Sequence, residues 1–192
     1  MNPIIKNDLS NELYDLENYI IHHSCDIEHW FRTQWLEHSA PFYASVDLRN
    51  SGFKLTPVDT NLFPGGFNNL NPEFAPLTIQ AISIAIEKVC PDVGRVLIIP
   101  ENHTRNMFYL KNIFELTEML KNSGIEVRIG SINPEINKIQ KIQIDDKHSI
   151  KLEPIHKENQ RLFLKNDDSS TFRPCAIILN NDLSAGVPEK LK

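Results

Sequence analysis

RVLIIPENHTRNMFYLKNIFELTEMLKNSGIEVRI, residues 95–129, decides the fold class. RVLIIP is a short apolar run rich in β-branched residues, the composition of a strand buried on both faces. From Thr104 to Asn122 the apolar residues Met107, Leu110, Ile113, Leu116 and Leu120 recur at helical spacing. Gly124 follows where a helix C-terminal cap belongs. IEVRI, residues 125–129, then reads as a second strand. Strand, helix and strand over this length predict a βαβ unit with parallel strands.

Working outward, CAIIL at residues 175–179 has the composition of another buried strand. Between the two, KIQIDD, IKLEPI and RLFLKN in residues 141–166 alternate like exposed antiparallel strands. Upstream, residues 76–90 are apolar around much of a helical circumference, which predicts a well-buried helix. Pro91 ends it. Residues 43–48 and 53–58 are β-prone pieces in a segment broken by Gly, Pro and Asn. Near the N-terminus, Asn7, Asp8 or Ser10 suits a cap before Leu9, Leu13, Leu16 and Ile20. A second helix follows Asp26 with Ile27, Trp30, Phe31, Trp35 and Leu36. Such stripes face a core more often than a partner. The expected organisation is an N-terminal helical arm over residues 1–40 and an α/β substrate-binding domain over residues 41–192. The α/β domain is expected to hold a mostly parallel sheet flanked by helices, with a small antiparallel excursion.

The totals bound the function. The chain has 192 residues, 41% hydrophobic and 23% charged, enough for a real core without staples. A net charge of −5 argues against a nucleic-acid surface, which needs clustered Lys and Arg. No apolar run is long enough to cross a bilayer, and residues 1–11 lack a signal peptide's apolar centre. Cys25, Cys90 and Cys175 are widely spaced and form no CxxC pair, which favours a reducing compartment. A cytoplasmic protein is the expectation. Cys90 and Cys175 sit in apolar runs and read as core residues, and His22 and His23 as solvent-facing. There is no GxxxxGKS/T phosphate loop, no GxGxxG after a strand, and no metal-ligand spacing of His and Cys.

In open parallel sheets, ligands bind beyond the carboxyl ends of the strands. RVLIIP runs into Glu101, Asn102, His103, Thr104 and Arg105, and CAIIL into Asn180, Asn181 and Asp182. Thr104 or Asn102 suits a helix cap. Glu101, His103 and Arg105 have no such reason to be there, and together supply a carboxylate, an imidazole and a guanidinium. The third polar cluster lies in residues 41–71. Asp47 and Arg49 alternate along one expected strand and so face one side. Lys54, Asp59, Asn61, Gly65, Gly66, Asn68 and Asn69 follow. An Arg clamps a carboxylate with two parallel hydrogen bonds, an Asp holds an ammonium, and a Gly-Gly turn lets backbone amides approach an anion. A surface Asp–Arg pair and a plain tight turn are the competing explanation of the same residues.

SVDLRNSGFKLTPVDTNLFPGGFNNLNPEF, IIPENHTRN and ILNNDLSAGVPE carry a resemblance. The chain resembles the proteobacterial type of glutamate–cysteine ligase from about residue 41 to residue 189. Members of that family are considerably longer, so the chain resembles their N-terminal part. The resemblance implies a pre-ATP-grasp or Rossmann-like fold, and an ATP-grasp-like nucleotide and magnesium site in the remaining part. It implies a reaction in which ATP phosphorylates the γ-carboxylate of glutamate and the amine of cysteine displaces phosphate, giving γ-glutamylcysteine. ATP and magnesium are the implied cofactors, and glutamate and cysteine the implied partners. On residue chemistry, Arg49 suits a carboxylate, Asp47 or Asp59 an ammonium, Lys54, Arg105 and the Gly65–Gly66 amides anionic groups, and Glu101 and His103 the reacting group. Asn61, Asn68, Asn69, Asn181 and Asp182 complete the expected substrate-binding set. The chain alone is expected to be inactive, with a companion chain or a homo-oligomer as the alternatives for completing it. A non-catalytic amino-acid- or nucleotide-binding module is the other reading.

Overall fold

The computed structural model describes residues 11–52, 54–92, 94–102, 105–183 and 186–192, with side chains in the first helix from Tyr14 onward. By its contacts the chain divides into two compact units, Met1–Leu62 and Phe63–Lys192.

In the first unit, α1 (Asn11–His22) and α2 (Ser24–Glu37) pack against each other across the single residue His23. α2 starts earlier than expected, because Asp26 lies inside its first turn and pairs with His23 at 3.4 Å. The expected caps Asn7, Asp8 and Ser10 lie outside the described residues. The apolar stripe does not become core: α2 has no buried residue, and Trp30, Phe31 and Trp35 are exposed. β1 (Ser45–Asn50) and β2 (Leu55–Asn61) follow as an antiparallel hairpin. Its turn is closed by Ser51 N–H to the Lys54 carbonyl at 3.1 Å and by Gly52 N–H to Asn50 Oδ1 at 2.8 Å. Gly52 sits there at φ 93°, a left-handed conformation that costs glycine little.

The second unit is a mixed α/β structure. Two single turns of 3₁₀ helix, Phe67–Asn69 and Pro72–Phe74, lead into α3 (Ala75–Val89). β3 (Arg95–Pro100), α4 (Met107–Asn122) and β4 (Glu126–Ser131) form the βαβ unit. β5 (Gln140–Gln143), β6 (Ser149–Pro154), β7 (His156–Glu158), β8 (Arg161–Lys165), β9 (Thr171–Phe172) and β10 (Ala176–Asn180) complete it, with a last 3₁₀ turn at Glu189–Leu191. The main sheet has the order β10-β3-β4-β6-β5, with β10, β3, β4 and β6 parallel and β5 antiparallel at the edge. β7, β8 and β9 make a separate antiparallel sheet.

The strand pattern explains the layering. Val96, Leu97, Ile98 and Ile99 are fully buried, so β3 is covered on both faces. Leu97 and Ile99 point to one face, where they cluster with Ile132, Ile155, Leu164 of β8 and Phe172 of β9. Val96 and Ile98 alternate to the other face. That face lies under α4, whose Leu110, Ile113, Leu116 and Leu120 are buried against the β4 side of the sheet. The sheet is therefore covered by a helix on one face and by the β7–β9 sheet on the other. Each buried Leu or Ile side chain contributes about 1.5–3 kcal/mol.

Three expectations need correction. α4 begins at Met107, because Asn106 is its cap, accepting Tyr109 N–H at 3.1 Å; Asn102 does not fill that role, and Thr104 lies outside the described residues. Residues 141–166 are not an exposed excursion. Ile150, Leu152 and Leu164 are buried, and β6 joins the main sheet beside β4. There Arg128 of β4 grips Glu153 of β6 through Nε to Oε1 at 2.7 Å and through Nη2 to Oε2. Finally, α3 is not buried all round. Only Ile86 is buried, while Leu77, Ile84 and Val89 are exposed. The expected end of α4 does hold: Gly124 adopts φ 83°, its N–H donates to the Lys121 carbonyl at 2.9 Å, and Ile125 N–H reaches Leu120 at 3.3 Å.

Gly130 of β4 leaves no room for a side chain. A Cβ there would lie 2.6 Å from Ile155 Cγ1 and 2.9 Å from Leu97 Cδ1. Gly130→Ala should therefore lower unfolding stability by about 1–3 kcal/mol through overpacking. Gly94→Ala, with nothing within 4 Å of the added carbon, should shift it by less than about 1 kcal/mol. Denaturant midpoints of the two variants check this; equal midpoints would mean the core around Ile155 yields freely.

Candidate functional site

In the second unit, the site is built where β3 and β10 end side by side. Their parallel register sets Asn180 opposite Pro100, so the residues after each strand emerge together. Asp182 N–H donates to Glu101 Oε1 at 2.6 Å, and Asn181 Nδ2 donates to the Pro100 carbonyl at 3.1 Å. Both Asn180 and Asn181 are buried, whereas Asp182 is exposed and Glu101 half-buried.

α4 ties this rim together. The Tyr109 hydroxyl accepts the Glu101 N–H at 2.8 Å and donates to Asn180, whose carbonyl O and Oδ1 lie 2.8 and 3.0 Å away. Asn180 Nδ2 in turn donates to the Pro64 carbonyl at 3.1 Å. That bond brings in the Gly65–Gly66 turn. Gly66 adopts φ 90°, and its carbonyl accepts Asn69 N–H at 2.8 Å. Phe67 N–H donates to Asn112 Oδ1 of α4 at 2.8 Å, and Asn68 Nδ2 to Asn69 Oδ1 at 3.1 Å. Asn112 is 1% exposed, and its Nδ2 has no hydrogen-bond partner among the described residues. Leaving such a buried donor unmet costs about 1–3 kcal/mol.

Glu101, Asn181, Asp182, Gly65, Gly66, Asn68 and Asn69 thus belong to one hydrogen-bonded assembly. Arg105 is exposed in the turn just before the α4 cap. His103 lies outside the described residues. Tyr109 and Asn112 were not singled out from sequence. The signal for them was present: a hydroxyl and an amide, three residues apart, on the helix face that also carries Ile113 and Leu116.

The first unit carries the other group of expected residues. Asp47 pairs directly with Asp59 across the hairpin, Arg49 with Thr56, and Ser45 with Asn61. The register shifts between Asp47 and Leu48, leaving Val58 without a pairing partner in the ladder. That bulge puts Asp47, Arg49, Asp59 and Asn61 on a single face, as directly opposed residues share a side. Lys54 stands at the end of the turn. All five residues are exposed.

Neither group forms a metal centre: among the described residues no three His, Cys, Asp or Glu side chains cluster to hold an ion. The Phe67 amide is spent on Asn112 of α4 and the Asn69 amide on the Gly66 carbonyl, so they do not form a phosphate cradle as they stand. These residues do not fit ATP or magnesium. No described helix is long and apolar enough to cross a membrane. A cavity of about 650 Å³ elsewhere in the second unit is lined by Leu162, Arg173, Ile177, Leu179 and Leu191; none of the candidate residues lines it.

The comparisons with known proteins agree with one another. Residues 17–192 match the family model described as glutamate-cysteine ligase. The fold is similar to the crystal structure of a protein from Methylobacillus flagellatus KT, provisionally named a gamma-glutamylcysteine synthetase. The TM-score is 0.86 and the identity 58%, over 97% of this chain and 43% of that one. No curated protein matches the chain. An α/β protein of a ligase family is what these matches define. The chain belongs to the glutamate-cysteine ligase family, as its sequence resemblance implied. It spans less than half the length of that structural relative.

The rim depends on one hydroxyl. Tyr109→Phe removes the acceptor for Glu101 N–H and the donor to Asn180, and should lower stability by about 1–3 kcal/mol. Amide exchange at Glu101 should accelerate at the same time. Unchanged stability with unchanged exchange at Glu101 would mean the hydroxyl ties nothing.

Proposed function

We propose that this chain is the amino-acid-binding front part of an ATP-dependent glutamate–cysteine ligase, forming γ-glutamylcysteine in glutathione biosynthesis. The family match over residues 17–192 is the observation that carries this reading. The relative with 58% identity, whose printed name is that of a gamma-glutamylcysteine synthetase, supports it. ATP would supply the activating phosphoryl group. Because the described residues do not fit the nucleotide or magnesium, both are assigned to parts of the family fold outside this chain. A pre-ATP-grasp arrangement of the sheet belongs to the same proposal, as does a cytoplasmic setting.

Within the chain, the hairpin face has the chemistry of an amino-acid grip. Arg49 offers a planar fork to a carboxylate, which accepts two parallel hydrogen bonds. Asp47 and Asp59 stand opposite each other and together suit an ammonium. Two carboxylates placed directly across a ladder repel, and a bound cation relieves that repulsion. Lys54 and Asn61 are assigned supporting contacts to anionic and polar groups. At the rim of the second unit, Glu101 and Asp182 supply further acceptors, with Arg105 and His103 as the cationic candidates nearest in sequence. Gly65, Gly66, Asn68 and Asn69 hold the turn that Asn180 and Asn112 fix in place.

Calorimetric titration of the chain with glutamate tests the grip. Arg49→Ala should weaken binding about 10–100-fold, the loss of a charge-assisted pair of hydrogen bonds, and leave the melting temperature unchanged because Arg49 is exposed. Arg49→Lys should recover only part of the affinity. Wild-type chain that releases no heat with glutamate, or an Arg49→Ala variant that binds as well as wild type, would overturn the assignment.

A further inference from the structure

A second pair of parallel strands ends together in the second unit. Ser131 of β4 stands opposite Pro154 of β6, and the Ile155 N–H donates to the Ser131 carbonyl at 3.2 Å. The carboxyl ends of parallel strands are where open sheets take their ligands. Here the residues that follow β4 and β6 enclose a cavity of about 400 Å³. None of the residues of the Glu101–Asp182 rim lines it.

The walls of this cavity are fixed by the fold. After β4, Ser131 Oγ accepts the Asn133 N–H at 3.0 Å, and Asn133 Oδ1 accepts the Glu135 N–H at 3.0 Å. The Asn133 carbonyl accepts the Ile136 N–H at 3.1 Å, and this turn brings Ile136 and Asn137 into the lining. After β6, His156 opens β7, pairs across the ladder with Phe163 and stacks on its ring with centroids 5.4 Å apart. Lys157 follows it in the lining. Lys190 arrives on the last 3₁₀ turn, whose Leu191 packs against the core.

The lining carries two ammonium groups and an imidazole but no carboxylate. Glu158 and Glu189, next to these lysines in the chain, are engaged elsewhere, with Arg173 at 3.2 Å and with Lys192 at 3.1 Å. Among the described residues, neither Lys157 nor Lys190 has an ion-pair partner, and neither His156 ring nitrogen has a hydrogen-bond partner. Cations gathered without a counter-charge repel one another, and a bound anion relieves that repulsion.

We propose that this cavity binds a phosphate group, free or as the monoester of a small organic molecule, through His156, Lys157 and Lys190. The site does not rest on the ligase reading. Each lysine brings a compact charge with three donors, the imidazole adds an N–H and Asn137 an amide, which together match the several acceptor oxygens of a phosphate. A carboxylate is best met by the planar fork of an arginine, and no arginine lines the cavity. Without a carboxylate the lining offers nothing to a magnesium ion, so the site suits a phosphate that comes without a metal. The volume falls within the range of small-molecule sites and exceeds what a bare phosphate fills. Ile136, Pro154 and Ile155 give an organic body an apolar wall. Burial, and then the charges of Lys165 and Lys190, hold the His156 pKa below its ordinary value. An anion beside the ring acts in the opposite direction.

The test follows the His156 ring protons of the full chain by NMR, assigned by their loss in His156→Gln. The chain is titrated at constant ionic strength with inorganic phosphate, with phenyl phosphate and with glutamate. Both phosphates should shift the His156 signals saturably and move the midpoint of its titration upward. Lys190→Gln should weaken phosphate binding at least about 10-fold, the worth of one charge-assisted hydrogen bond, and Lys157→Gln should weaken it in the same direction. Tighter binding of phenyl phosphate identifies an ester as the ligand, and equal affinity identifies free phosphate; either supports the site. His156 signals that ignore both phosphates would overturn the proposal. So would a glutamate response equal to that of phosphate, or a folded Lys190→Gln variant that binds phosphate as tightly as wild type.

Discussion

Parallel pairing of β10 with β3 is the constraint on which the second unit depends. The two strands are about eighty positions apart in the chain, and no local propensity joins them. What joins them is burial. Val96 to Ile99 are fully covered, and Ile178 is buried beside them. A strand hidden on both faces must satisfy its backbone groups through neighbours on both edges, because water cannot reach them. β4 supplies one edge and β10 the other. The pairing then fixes both ends at once. At the carboxyl end, Asn180 stands beside Pro100 and the rim of Glu101, Asn181 and Asp182 forms. At the amino end, Cys175 stands beside Arg95.

The polar rim is held by groups that divide between fixing and facing outward. Asn180 uses both ends of its amide, toward Tyr109 and Pro64, and is 2% exposed. Asn181 spends its Nδ2 on the Pro100 carbonyl. Such bonds contribute modestly when made and cost more when one partner is removed. Asn180 and Asn181 therefore act as struts, and Asp182 and Glu101 as the groups they position. Any ligand chemistry at this rim would fall to the outward pair, not to every polar residue in the cluster.

Much of this was legible in the sequence where burial and local geometry agree. RVLIIP read as a doubly covered strand because its composition has no solvent face. Gly124 read as a cap because only a left-handed residue closes that helix end. The family was legible only as a resemblance of whole motifs, and the match over residues 17–192 agrees with it. Other elements did not yield. α3 was expected to be buried because its apolar residues run round the helix, yet periodicity says nothing about what covers them, and Leu77 and Ile84 are exposed. IKLEPI looked amphipathic and exposed, but Arg128 and Glu153 pair across β4 and β6, letting charged residues sit inside a sheet. Tyr109 escaped notice because a tyrosine in an apolar helix face looks like core. Its hydroxyl matters only once two distant strand ends arrive beside it.

The bulge in the hairpin is the clearest case of a local irregularity with chemical consequences. Strict alternation along β2 would put Thr56 and Asp59 on opposite faces. The unpaired Val58 shifts the register, so Asp59 meets Asp47 while Thr56 meets Arg49. Two like charges directly across a ladder cost up to about 1 kcal/mol, a penalty that a regular hairpin would have avoided. A bulge that creates such a clash, two residues from an arginine, arranges an anionic spot and a cationic fork at the spacing of neighbouring same-face side chains. A zwitterionic α-amino acid presents the complementary pair, an ammonium and a carboxylate on one carbon. That complementarity is the physical basis of the amino-acid grip proposed for the hairpin.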